Sequence, residues 1–101
     1  MEKIKNIDEF VHRLSNFFDT VGNAVRLQIL LYLKESPLCV STIAEKLARK
    51  RFTISRHLKI LRDNGLVKSE TRGKYRYYSL KRPELIDEIL KIYELLTRKN
   101  A

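Results

Sequence analysis

Ten basic side chains (Arg49, Lys50, Arg51, Arg56, Lys59, Arg62, Lys68, Arg72, Lys74 and Arg76) stand in the stretch from Arg49 to Arg76, against two acidic ones, Asp63 and Glu70. The stretch carries a net +8, nearly all of the +9 of the whole 101-residue chain. A merely solvated surface would alternate its signs, whereas one basic block is the electrostatic footprint of a polyanion. Double-stranded nucleic acid is the leading partner.

Bond-making chemistry has little to work with here. The chain has two histidines, His12 and His57, far apart in sequence, and one cysteine, Cys39. There is no glycine-rich phosphate loop, and no nucleophile–base pair or metal constellation is visible, so an enzyme is the reading these residues least support. A lone cysteine cannot close an intramolecular disulfide, which fits a reducing compartment, and zinc modules built on Cys pairs are excluded. Between Leu38 and Val40, Cys39 reads as a small buried hydrophobe, with a redox switch as the alternative. No cofactor is implied.

The basic residues need elements to hold them. Ile7, Phe10, Val11, Leu14, Phe17 and Phe18 form one stripe of a helix over Ile7–Phe18. Gly22-Asn23 breaks the pattern, and a second helix runs from Ala24 to Lys34 before Ser36-Pro37. It is apolar over so much of its surface that it should lie deep in the core. Leu38–Val40 is a strand fragment, and Ser41 is placed to cap a third helix ending near Ala48. After the link Arg49-Lys50-Arg51, a fourth helix over Phe52–Asp63 ends at Asn64-Gly65, where glycine can turn left-handed. Leu66–Thr71 and Lys74–Leu80 read as a β-hairpin about Arg72-Gly73. Pro83 opens a last helix whose apolar residues, Leu85 to Leu96, cover more than half its circumference.

At 100° per residue the fourth helix turns Ile54, Leu58 and Leu61 to the core and Phe52, Arg56 and Lys59 to the far side, with Thr53 on one flank and Ser55 and Arg62 on the other. Such a face suits phosphates and base edges in a major groove, and Arg56 is the chosen base reader. His57, at the edge of the core stripe, reads as a hydrogen-bonded structural histidine. The hairpin tip offers Arg72, Lys74 and Arg76 to a phosphate backbone; the other reading of that tip is a charged edge that blocks sheet aggregation.

The chain is short enough for a single domain over residues 1–101, mainly α with a small β-hairpin, ordered helix, helix, short strand, helix, helix, hairpin, helix: a winged helix-turn-helix. No apolar run approaches the roughly 18 residues of a membrane span. The charged start, MEKIKNIDEF, lacks a secretory signal, so a cytoplasmic protein is expected. One core cannot bury the last helix's wide stripe, so a homodimer is expected through Phe10, Leu14 and Phe17 with Ile89, Tyr93 and Leu96.

From Phe17 to Leu80 the chain resembles the ArsR/SmtB family. Arg26-Leu27-Gln28-Ile29-Leu30 is similar to the family's opening motif. Ile43-Ala44-Glu45-Lys46-Leu47, then Thr53 to Leu61 (TISRHLKIL) and Gly65-Leu66-Val67, follow the family's helix-turn-helix and the start of its wing. The resemblance implies a winged-helix dimer that represses its own operon until an inducer binds, with DNA contacts at Thr53, Ser55 and Arg56 and a wing over Arg72–Arg76. Two departures stand out. Arg49-Lys50-Arg51-Phe52 replaces the family's usual apolar residue, Ser cap and small residue or Pro. Many members bind metals through a Cys-x-Cys pair before the third helix or through Asp and His on the last helix; here Ser41 takes the second cysteine's place and the last helix has no His, so no metal site is expected. The expected function is a dimeric, sequence-specific transcriptional repressor, and the alternative is a nonspecific or architectural DNA-binding protein.

Overall fold

The structure, a computed structural model, describes residues 6–98. The first half of the charged MEKIKNIDEF stretch therefore lies outside the described residues. Helix α1 runs Ile7–Val21, α2 Ala24–Glu35, strand β1 Leu38–Cys39, α3 Val40–Leu47, α4 Arg51–Asp63, β2 Val67–Arg72, β3 Tyr75–Leu80 and α5 Pro83–Thr97.

Two asparagine caps set the first pair of helices. Asn6 Oδ1 accepts from the Glu9 N–H at 3.0 Å, and Asn23 Oδ1 accepts from the Arg26 N–H at 3.1 Å. Helix α1 runs past the expected Phe18 end to Val21 because Thr20 and Val21 reach the core. Helix α3 differs at its start. Cys39, not Ser41, is the N-cap, and no side chain caps it. Cys39 is still paired with Tyr77 in the sheet, so the chain leaves the ladder and enters the helix one residue later.

The expected strand fragment becomes the edge of a three-stranded antiparallel sheet, order β1-β3-β2. Its register pairs Leu38 with Tyr78 and Cys39 with Tyr77; across the hairpin, Val67 pairs with Leu80 and Arg72 with Tyr75. The hairpin turn falls one residue later than expected, with Gly73-Lys74 in place of Arg72-Gly73 as the two-residue loop. Gly73 alone of the pair has positive φ, +60°, the pattern of a type II′ turn.

Helix α2 packs against every other helix and against β3. Ile29 and Leu30 from α2, Ile43 from α3, Ile54, Leu58 and Leu61 from α4, and Val67 from β2 are fully buried. The expectation of a deeply buried α2 fails at Leu31, which is 44% exposed. There α2 and α5 diverge around a cleft of about 260 Å³ lined by Leu27, Leu31, Ile86, Ile89, Leu90 and Tyr93. A Lys34–Asp87 ion pair of 3.0 Å joins the two helices beside it. No described helix is long and apolar enough to cross a membrane.

Candidate nucleic-acid interface

Helix α4 is placed by its two ends. At its C-terminus the Gly65 N–H donates to Arg62 O at 3.0 Å and the Leu66 N–H to Leu61 O at 2.9 Å. This pair of bonds is the Schellman motif, and Gly65 has the φ of +76° that it requires. The same motif closes α3, where the Ala48 N–H donates to Glu45 O at 3.2 Å and the Arg49 N–H to Ala44 O at 2.9 Å. Ala48 holds the left-handed position with φ 52°. The turn between the helices is thus sharp without a glycine, and α4 begins at Arg51, one residue earlier than expected. Lys50 is the N-cap, no side chain caps it and no acidic residue sits in the first turn. The first N–H groups and the positive end of the helix dipole lie open to an anion, among Arg49, Lys50 and Arg51.

The rotation read from the sequence holds. Ile54, Leu58 and Leu61 are buried, Ser55, Arg56 and Lys59 are exposed, and Thr53 is half-buried on the flank. Two cations on this face have companions. Lys59 Nζ lies 2.8 Å from Asp63 Oδ2, a bond that holds the Asp63 carboxyl below the usual carboxylate range. The Arg56 guanidinium lies over the Phe52 ring, 5.9 Å from its centroid.

The wing starts where α4 ends, because β2 follows directly on Gly65-Leu66. Arg72, Lys74 and Arg76 are all exposed, but the register divides them. Arg72 shares the outer face with Glu70, Tyr75 and Tyr77, whereas Arg76 lies on the face that carries buried Tyr78 and Leu80 further along. Arg72 Nη2 sits 3.4 Å from Glu70 Oε2, and its guanidinium is 5.4 Å from the centroid of the Tyr77 ring. The hairpin therefore presents cations from both faces as well as from its tip.

A residue given no role by the sequence reading ties these parts together. Arg26 Nε donates to Thr20 O at 2.7 Å and Nη2 to Asp19 O at 3.2 Å, while Nη1 lies 3.5 Å from His57 Nδ1. One guanidinium on α2 thus holds the end of α1 and touches α4. Partial burial, then the charges of Arg26, Arg56 and Arg49, lower the His57 pKa from its ordinary value, so the ring is neutral at pH 7 and Nδ1 can accept. His57 is structural, as its position at the edge of the core stripe implies.

The family-wide sequence profile described as "Bacterial regulatory protein, arsR family" matches residues 23–69. An HTH-type transcriptional regulator of Methanocaldococcus jannaschii is 33% identical over 89 residues, spanning 87% of this chain and 99% of that one. The chain belongs to the ArsR family. Another relative, the transcriptional repressor SdpR of Bacillus subtilis, is 32% identical over 75% of this chain and 84% of its own length. Among solved structures, the homodimeric winged helix-turn-helix DNA-binding domain of a possible ArsR-family regulator from Mycobacterium bovis superposes with a TM-score of 0.82. It is 22% identical, covering 98% of this chain and 95% of that one, and shows the shared winged helix-turn-helix fold.

In this ArsR-family chain, Cys39 corrects the reading of a buried hydrophobe. It is half-buried and, through its pairing with Tyr77, lies on the sheet face turned away from the core. Its Sγ is 3.2 Å from Ser41 Oγ and 3.3 Å from Thr42 Oγ1. These hydroxyls, Ser41 first, lower the thiol pKa to about 7. The donor set around the sulfur is one thiol and two hydroxyls, which suits a soft metal ion poorly. Among the described residues no three His, Cys, Asp or Glu side chains gather as a metal site.

Proposed function

We propose that this chain is a sequence-specific DNA-binding transcriptional regulator acting as a homodimeric repressor. The observation that carries the reading is the face of α4, where exposed Ser55, Arg56 and Lys59 project beside the uncapped, cationic helix start, with a basic wing continuing from the other end. A helix placed this way inserts its N-terminal half in a major groove while the wing follows a phosphate backbone. Thr53, Ser55 and Arg56 face base edges, and Arg49, Lys50, Arg51, Lys59, Arg72, Lys74 and Arg76 serve phosphates. Repression agrees with SdpR, and a homodimer with the Mycobacterium bovis domain. Residues 1–101 act as one domain, in the compartment that holds the genome, and the inducer is not a metal bound at Cys39.

Selecting bound fragments from genomic DNA, then comparing affinity for the selected site and for random duplex at one salt concentration, tests this reading. A preference of roughly 10³ or more is expected of a specific regulator. Equal affinity for both would replace it with a nonspecific, architectural DNA-binding protein.

A further inference from the structure

Phe52 is 73% exposed, more than any other Phe or Tyr among the described residues. The other strongly exposed aromatics on helices, Phe10, Phe18 and Tyr93, sit among apolar neighbours on α1 or α5. Phe52 does not. It is the second residue of α4, flanked by Arg49, Lys50 and Arg51, and one turn on, Arg56 lies over its ring. An interface between apolar helix faces therefore gives no account of it. We propose that Phe52 is a specificity-determining residue that packs on the 5-methyl group of a thymine in the major groove. This rests on the DNA-binding reading above. The methyl is the one apolar feature on the groove edges of the bases, and Phe is among the side chains suited to it. Residues in the N-terminal part of a groove-inserted helix are the ones that reach base edges. Arg56 over the ring limits its swing and places the two side chains as a pair, about 6 Å apart along the helix axis. At 3.4 Å per base step, the thymine lies within about two base pairs of the base that Arg56 reads.

The selected operator, synthesised with each thymine replaced in turn by deoxyuridine, tests this, because that change removes only the methyl. Wild-type protein should lose about fourfold in affinity at one thymine per half-site, the worth of one buried methyl-sized group. Phe52→Ala, at an exposed position that leaves the core intact, should bind the thymine and uracil operators equally and keep its affinity for random DNA. The inference is overturned if the wild type prefers the operator yet ignores every uracil replacement, or if Phe52→Ala keeps the same methyl dependence. Loss of the preference for operator over random DNA in the wild type would instead sink the regulator reading itself.

Discussion

Arg56 and Lys59 occupy the same exposed face, yet their surroundings assign them different work. Lys59 is held by Asp63, so part of its charge is already answered, and on DNA it exchanges one oxygen for another. Arg56 rests on a ring and keeps all its guanidinium donors available for a base edge. Arg56→Ala should therefore cost roughly 1–3 kcal/mol on the operator and far less on random DNA. Lys74→Ala should weaken both DNAs alike and flatten the salt dependence by about one unit of slope; Arg72→Ala should do so less, since Glu70 already pairs with it. Isotherms over a salt series separate these outcomes, and an equal loss on both DNAs for Arg56→Ala would make it a phosphate clamp. The α4 face was legible in the sequence because helical rotation is fixed by Ile54, Leu58 and Leu61 alone. Cys39 was not, because which side of a two-residue strand faces the core depends on its partner, Tyr77. Its lowered pKa predicts that alkylation of the thiol rises with pH through an inflection near 7, as thiolate replaces thiol. Ser41→Ala should move that inflection up towards the ordinary thiol range, and an unmoved inflection would remove the hydroxyl as its cause.

The turn joining α3 to α4 decides how the basic face is aimed, and it repeats the device that ends α4. Both helices close with Schellman bonds, but one uses Gly65 and the other Ala48. Gly65 announced its helix end in the sequence, whereas nothing in Ala48-Arg49-Lys50 signals a left-handed residue, so the start of α4 was misread by one. An L-residue held left-handed costs about 1–2 kcal/mol, while glycine there gives back part of that gain through a freer unfolded chain. Ala48→Gly should thus raise stability by about 0.5–1 kcal/mol, seen as a higher midpoint of thermal unfolding, with operator affinity unchanged because the bonds at Ala44 and Glu45 stay. A lower midpoint would show that this turn is not under the strain its φ implies. The strand fragment at Leu38 was legible but its pairing with β3 was not, and the hairpin was legible but its turn was placed one residue early, since pairing and register are set by contacts distant in sequence.

A chain of this length folded as a closed globule has a radius of gyration near 13 Å. Here it is 15.6 Å, with extents of 46 × 40 × 21 Å. The 8108 Å² of exposed surface likewise exceeds the roughly 6000 Å² usual for 12.0 kDa. The excess comes with apolar side chains on the two terminal helices: Phe10 and Leu14 on α1, Tyr93 and Leu96 on α5, with Phe17 and Ile89 half-buried between them and the core. A standard interface hides roughly 800 Å² on each partner, and these exposed apolar side chains form the surface that such an interface would cover. Covering it with a second copy would place two α4 helices on one duplex, with half-sites about 34 Å apart. Ile89→Glu is a poor probe by itself because Ile89 also packs on the core. Leu96, 81% exposed, is a clean one. Leu96→Glu should leave the monomer folded by circular dichroism, shift sedimentation at micromolar concentration from dimer to monomer, and weaken operator binding while sparing the contacts of a single half-site. Wild-type protein sedimenting only as a monomer would refute the terminal-helix dimer, and the apolar faces of α1 and α5 would then need a different partner.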